Sequence, residues 1–132
     1  MKTSTEKFNK EYIEIVKVLE KNLSDMKSGE RMLISSPKSI ANYIKKIPYG
    51  NQSNVKKMRL SLAEESNADT TCPLTTGIFL RIAIESSLEL ANGEKPKLPF
   101  WRLINQKSPM VKKLPISQSY IAALRDSEGL KD

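Results

Sequence analysis

The chain has 132 residues, a length that suits a single domain with a substantial buried core. It contains no histidine and one cysteine, Cys72, so an internal disulfide, imidazole acid–base chemistry and histidine-containing metal sites are excluded. No apolar run reaches the roughly 18 residues of a membrane span and the first residues do not resemble a signal peptide, so we expect a cytoplasmic protein. No motif indicates a metal or a cofactor.

The formal net charge of +7 is unevenly distributed along the chain. Residues 1–30 and 67–93 carry no excess of lysine and arginine, whereas residues 31–66 and 94–132 are strongly basic. A localised basic excess predicts an anionic partner such as DNA. The alternative is a solvated basic surface without a specific partner.

The N-terminal segment carries apolar residues spaced by three and four positions, with charged residues between them. These residues are Phe8, Tyr12, Ile15, Val16, Leu19, Leu23 and Met26. The spacing predicts one amphipathic helix over residues 5–27, ended by Ser28-Gly29 and forming a separate N-terminal element at 1–30. Its apolar stripe either covers the core of the same chain or serves a protein partner or self-association.

Two further helices are predicted before the middle of the chain. Ser36 followed by Pro37 is typical of a helix start, because serine caps the free N–H groups and proline suits the first turn. Pro48-Tyr49-Gly50 ends that helix. Asn54 predicts a cap for the next helix, 55–66, on which Lys56, Lys57 and Arg59 are expected to face solvent.

The central helix is predicted to begin at Pro73 and to end at Asn92-Gly93. Its apolar residues are so dense that we expect burial on nearly every side. Several hydroxyl side chains crowd its start, where free N–H groups favour an anion; the alternative is ordinary helix capping. These side chains belong to Thr70, Thr71, Thr75 and Thr76.

The C-terminal part predicts a strand at 99–105, a return strand near 110–114 and a last helix from Ser117 to Gly129. Together with the two preceding helices, this order indicates an α+β, mostly helical fold of winged helix-turn-helix type in residues 31–132. The short β-hairpin is the wing, and the N-terminal helix is an addition to this fold.

Four short motifs resemble the C-terminal domain of the alkylguanine-DNA alkyltransferase family, in the order that the family has them. Ile47–Gly50 resembles "IPxG", and Thr76-Gly77 resembles the "VG" of the second helix. Pro99–Leu103 resembles "PCHRV", and Leu124–Gly129 resembles "LLxxEG". The resemblance covers roughly residues 31–130. It implies a DNA-binding winged helix with a pocket for a target nucleotide.

The same resemblance shows where this chain departs from the family. The alkyl-accepting cysteine falls at Phe100 and its activating histidine at Trp101, while Glu128 matches the last carboxylate of that proton relay. The tyrosine that helps rotate the nucleotide falls at Val55, and the arginine that fills the vacated base stack falls near Leu74. Alkyl transfer is therefore not expected. The chain is more similar to alkyltransferase-like proteins, which lack the cysteine.

These observations predict a non-enzymatic protein that binds double-stranded DNA, with a link to DNA damage recognition. The expected DNA-binding residues are Lys56, Lys57, Arg59, Thr71, Thr75 and Thr76. The expected pocket residues are Cys72, Phe100, Trp101, Arg102 and Glu128, with the aromatic pair either stacking on an extruded base or forming part of the core or the pocket wall. An enzyme would require Cys72 as a displaced acceptor, because a thiol beside a helix N-terminus ionises more readily.

Overall fold

The computed structural model describes residues 3–131, so positions 1, 2 and 132 of the predicted domain limits lie outside the described residues. The fold is α+β, about half helical, with a small three-stranded sheet. The elements in chain order are α1 (Ser4–Asn9), β1 (Ile15–Val18), β2 (Arg31–Ile34), α2 (Pro37–Lys45), α3 (Val55–Glu65), β3 (Thr70–Thr71), α4 (Pro73–Ala91) and α5 (Gln118–Ser127). None of the helices within these residues is long and apolar enough to cross a membrane.

The predicted helix over residues 5–27 is wrong. Helix α1 ends at Asn9, and the chain continues as β1, which pairs antiparallel with β2 from Ile15 opposite Ile34 to Val18 opposite Arg31. β-branched residues are concentrated at positions 13–18, where they favour an extended chain over a helix. The three-to-four spacing of the apolar residues is therefore not the sign of one continuous helix, because part of the spaced segment forms strand β1. Since β2 also pairs in parallel with β3, the N-terminal segment is joined to the rest of the fold.

The predicted helix starts are confirmed. Ser36 accepts a hydrogen bond from the Ser39 N–H group, and Asn54 accepts one from Lys57. Helix α4 begins at Pro73 and ends at Ala91, and its C-cap residue Asn92 has a left-handed φ of 48°. The side-chain caps of α2 and α3 and the left-handed residue after α4 agree with these boundaries.

The core lies between α4, α2, α3 and the segment that follows α4. The large apolar side chains with the least exposure include Leu33, Ile40, Ile44, Met58, Leu80, Ile84, Phe100 and Ile121. Helix α1 packs on α4, where Glu89 accepts hydrogen bonds from the N–H groups of Ser4 and Thr5. However, α4 is not buried on every side as predicted, because Leu74 is 73% exposed and Ile78 is 51% exposed.

The predicted strands at 99–105 and 110–114 are wrong as well. Two short 3₁₀ helices, Phe100–Arg102 and Pro109–Lys113, occupy these positions. Their N–H groups bond three residues back along the chain: Leu103 donates to Phe100 O, and Leu114 donates to Val111 O. These local bonds replace the partner strand that a hairpin would require.

Candidate functional site: the Glu128 cluster and the face of α4

Glu128, directly after α5, accepts hydrogen bonds from three residues in two separate parts of the chain. Trp101 Nε1 donates to Oε2 over 2.7 Å, and the backbone N–H of Gly50 donates to Oε1 over 2.9 Å. Arg102 binds both carboxylate oxygens, at 2.8 and 3.0 Å, and its other terminal nitrogen donates to Ile47 O at 2.8 Å. We call Gly50, Trp101, Arg102 and Glu128 the Glu128 cluster. It joins three of the four motif segments noted in the sequence.

The Glu128 cluster holds a buried negative charge. Burial raises the pKa of Glu128, but the hydrogen bonds from Arg102, Gly50 and Trp101, together with the positive charge of Arg102, outweigh burial and lower the pKa to about 2. The side chain is fully covered. Glu128 is therefore ionised at neutral pH, and its acceptor positions are occupied by groups of the protein itself.

The predicted pocket residues do not line one common cavity. Phe100 and Trp101 are buried in the main core, edge to face at 5.4 Å, so neither ring is open for stacking on a base. Cys72 lies in a separate small cluster with Met26 and Met32, where its thiol is also buried. The aromatic pair therefore forms core, which was the other interpretation of these residues.

Arg59 does not face solvent as predicted. It is 9% exposed, and its Nε donates to Thr71 O at 2.8 Å. Its terminal nitrogens bind both carboxylate oxygens of Asp25 at 2.7 and 2.9 Å. These hydrogen bonds lower the pKa of Asp25. The guanidinium thus anchors the loop between β1 and β2 to α3 and β3. This role depends on Asp25, which lies 34 positions away in the sequence.

The threonines at the start of α4 are turned inward. The Thr71 hydroxyl donates to Arg59 O at 2.6 Å, and the Thr76 hydroxyl donates to Cys72 O at 2.6 Å. Thr75 is half-buried, and its hydroxyl oxygen has no hydrogen-bond partner among the described residues. Of the predicted DNA-binding side chains, Lys56 and Lys57 are the two that are exposed.

Two clefts lie beside the first turns of α4. The first, of about 640 Å³, is lined by the start of α3, by Leu80 and by residues of the segment 103–110. The second, of about 530 Å³, is lined by Leu74 and Ile78 and by side chains of α1 and of the 3₁₀ helix Pro109–Lys113. Met110 lines both clefts, so the two clefts share one wall. We call the two clefts together the α4 face.

The α4 face is lined by both basic and apolar side chains. Lys57 lines the first cleft, and Lys7, Arg81 and Lys113 line the second. Arg81 forms an ion pair with Glu85 at 2.8 Å, which offsets part of this charge. The pattern of basic residues in the sequence indicated Lys57, but the contributions of Lys7 and Lys113 depend on the packing of α1 and of the 3₁₀ helix onto α4.

Within residues 3–131 no group of three or more cysteine, aspartate or glutamate side chains is arranged to hold a metal ion.

Comparisons of the chain with protein-family models, with curated proteins and with solved structures found no match.

Proposed function

We propose that the protein is a non-enzymatic DNA-binding protein of the alkyltransferase-like kind, which holds duplex DNA against the α4 face. The observation that carries this proposal is the pair of neighbouring clefts that share Met110, whose linings include Lys7, Lys57, Arg81 and Lys113. Lysine and arginine side chains that neutralise phosphates supply most of the affinity in such complexes. Helices α3 and α4 would then serve as the two helices of a helix-turn-helix, without a β-hairpin wing.

The exposed side chains of α4 favour the minor groove as the docking position. Leu74 and Ile78 are apolar, and the adjoining Gly77 leaves open space in which the backbone can approach a ligand. Proteins that bind the minor groove often insert apolar side chains between base steps, whereas reading the major groove requires hydrogen-bonding side chains. The exposed first turns of α4 therefore fit a shape-dependent mode of binding.

The Glu128 cluster supports the alkyltransferase-like part of the proposal. The segments that resemble "IPxG", "PCHRV" and the glutamate of "LLxxEG" meet there through hydrogen bonds. The indole of Trp101 and the guanidinium of Arg102 bind the Glu128 carboxylate. The carboxylate therefore has no imidazole to orient and no thiol to activate. This arrangement suits a structural support for a DNA-binding surface rather than a catalytic relay.

The proposal predicts that the protein accepts no alkyl group. After incubation with duplex DNA containing an alkylated guanine, the intact mass should be unchanged, because Phe100 occupies the acceptor position and Cys72 is buried. A mass increase located at Cys72 would restore the enzyme hypothesis. The same duplex, labelled and titrated beside an unmodified one, tests whether the lesion affects affinity.

The decisive binding experiment compares two pairs of exposed lysines. Lys56→Ala with Lys57→Ala should weaken duplex binding and reduce the slope of log affinity against log salt by about 0.9 for each phosphate that is no longer neutralised. The matched control is Lys45→Ala with Lys46→Ala, an exposed pair at the end of α2. Equal losses from the two pairs would indicate diffuse attraction, and no binding by the wild type at low salt would exclude the proposal.

A second candidate function is a protein-interaction module that uses the N-terminal segment. The observation that favours it is the number of large apolar side chains that residues 13–23 expose to solvent. They lie on a strand and the loop after it rather than on the predicted helix.

A further inference from the structure

The N-terminal strand leaves an apolar sheet edge uncovered. The large apolar residues exposed there are Ile13, Ile15, Val16, Val18 and Leu23. Ile13 is 86% exposed and Val18 is 64% exposed. The sheet order is β1-β2-β3, so one side of β1 has no partner strand among the described residues. Unprotected edges of this kind are sites of strand addition.

The backbone of this edge presents free hydrogen-bonding groups. The Leu19 N–H donates to Glu30 O at 2.9 Å, so residue 19 points toward β2. Because neighbouring residues of an antiparallel pair alternate in direction, Lys17 and Ile15 point the same way. The N–H and C=O groups of Glu14, Val16 and Val18 therefore point outward, away from β2.

We propose that β1 pairs antiparallel with β1 of a second copy of this chain, about a twofold axis at Val16. In this arrangement Val16 lies opposite Val16 of the second copy, and Glu14 lies opposite Val18 of the second copy. All three residues offer the outward-pointing backbone groups that such a ladder requires. The proposal concerns a surface separate from the α4 face and does not depend on DNA binding.

The charges of the strand fit this register. Lys17 lies opposite Ile15 of the second copy and Glu14 opposite a valine, so no like charges are directly opposed. A register centred one residue later would place Lys17 opposite its own copy at the shortest cross-strand spacing. The sequence of β1 is therefore compatible with itself in the Val16-centred register.

The exposed Ile13 also has an apolar neighbour on the second copy in this register. Continuing the same alternation, Ile13 lies opposite Leu19 of the second copy, on the face of the sheet that carries Met32. Leu19, Leu23 and Met32 are among the apolar lining residues of an open depression of about 710 Å³ on each copy, which Lys17, Glu20 and Lys21 also line. Pairing thus brings Ile13, the most exposed of these apolar side chains, toward the apolar part of this depression, and it does so twice by symmetry.

The oligomeric state of the full chain tests the proposal directly. Sedimentation or light scattering over a range of concentrations should show a monomer–dimer equilibrium for the wild type. Val16→Pro removes an outward-pointing N–H group without removing a bond to β2, so it should raise the dimer dissociation constant by at least about tenfold. Val16→Thr keeps the N–H group and the branched side chain and should still dimerise.

Thermal unfolding of both variants checks that the fold survives the substitution. A wild type that stays monomeric at every concentration would overturn the proposal. A folded Val16→Pro protein that dimerises as tightly as the wild type would overturn it too.

Cysteine cross-linking tests the register independently. In a Cys72→Ala background, Val16→Cys should form a disulfide-linked dimer under mild oxidation, because only the residue on the axis meets its own copy within the ~5.5 Å Cα separation that a disulfide needs. Ile13→Cys is the control; it is more exposed but lies away from the axis, and it should cross-link at least about tenfold more slowly. Faster cross-linking of Ile13→Cys or Ile15→Cys than of Val16→Cys would overturn the proposal.

Discussion

Glu128 is a single residue that connects parts of the chain far apart in sequence. Its carboxylate holds the turn at Gly50, the indole of Trp101 and the guanidinium of Arg102. A buried ion pair of this kind specifies how the parts fit together, even where its net contribution to stability is small. Removing one partner of the ion pair changes the stability more, because the other charge then remains buried without an opposite charge beside it.

Substitution of Glu128 with glutamine should destabilise the fold strongly. Breaking one side of a buried ion pair typically costs about 3–5 kcal/mol, and we expect Glu128→Gln to lower the free energy of unfolding by that order at neutral pH. Urea denaturation measures this difference. Glu64→Gln, at an exposed position of α3, is the control and should change stability by less than ~0.5 kcal/mol.

The contribution of Glu128 should also depend on pH in a defined direction. The pKa of Glu128 in the folded protein is about 2, below its ordinary value of 4.5, so its charged form stabilises the fold above pH 4.5. This contribution is lost as the pH falls from 4.5 toward 2, because the unfolded chain takes up the proton first. The stability difference between the wild type and Glu128→Gln should therefore shrink across that range. A difference that stays constant would contradict this account.

At the scale of elements, the side chain of Arg59 joins helix α3, strand β3 and the loop between β1 and β2. Its hydrogen bonds connect α3 with β3 and with the loop that contains Asp25. Thr71 returns a hydrogen bond to Arg59 O, so α3 and β3 are held in both directions. This geometry predicts a structural role rather than a phosphate contact.

Replacement of Arg59 by lysine distinguishes these two roles. Lysine keeps the charge but cannot reproduce the paired bonds to Asp25, so Arg59→Lys should lower the free energy of unfolding by about 1–3 kcal/mol. Duplex affinity of the folded variant should stay the same. Arg31→Lys is the matched control, because Arg31 pairs with Asp69 at an exposed site and such pairs contribute about 0–1 kcal/mol. Failure of folded Arg59→Lys to bind DNA would instead restore its predicted role at the DNA surface.

The sequence predicted those elements that local chemistry determines. Ser36, Asn54 and Ser117 each cap the helix that was expected to follow them. Residues 5–27 and 99–114 were misassigned, because their structure depends on contacts with distant segments. The pairing of β1 with β2 and the hydrogen bond of Trp101 to Glu128 are examples.

The sequence likewise predicts those features of the candidate site that depend on local pattern and misses those that depend on distant contacts. The exposure of Lys56 and Lys57 follows from the helical pattern of α3. The burial of Arg59 required Asp25 to fold back over it, and no local pattern carries that information. The motif resemblance did group Arg102, Trp101 and Glu128 from the sequence alone, although it gave no indication that Phe100 would be fully buried.

At the scale of the whole molecule, the α4 face and the β1 edge are built from different elements. The first depends on α1, α3, α4 and the 3₁₀ helix Pro109–Lys113, and the second on β1 and the loop after it. The two proposals therefore predict independent behaviour. Val16→Pro should not change the affinity of each protomer for a duplex short enough to hold one protomer.

The reciprocal experiment completes this test. Lys56→Ala with Lys57→Ala should dimerise as the wild type does, measured by sedimentation. If folded Val16→Pro failed to bind the short duplex, binding would require two copies, and the two surfaces would act as one site.

The arrangement of the Glu128 cluster has a consequence for the order in which the protein folds. The hydrogen bond between Gly50 and Glu128 closes a loop of 78 residues, and the bond between Trp101 and Glu128 closes one of 27. Closing such a loop costs conformational entropy before the contact forms, and contacts between distant residues form more slowly than contacts within a helix. We therefore expect helices α2 to α4 to form before the Glu128 cluster closes, so that Arg102 gains its counter-charge late in folding.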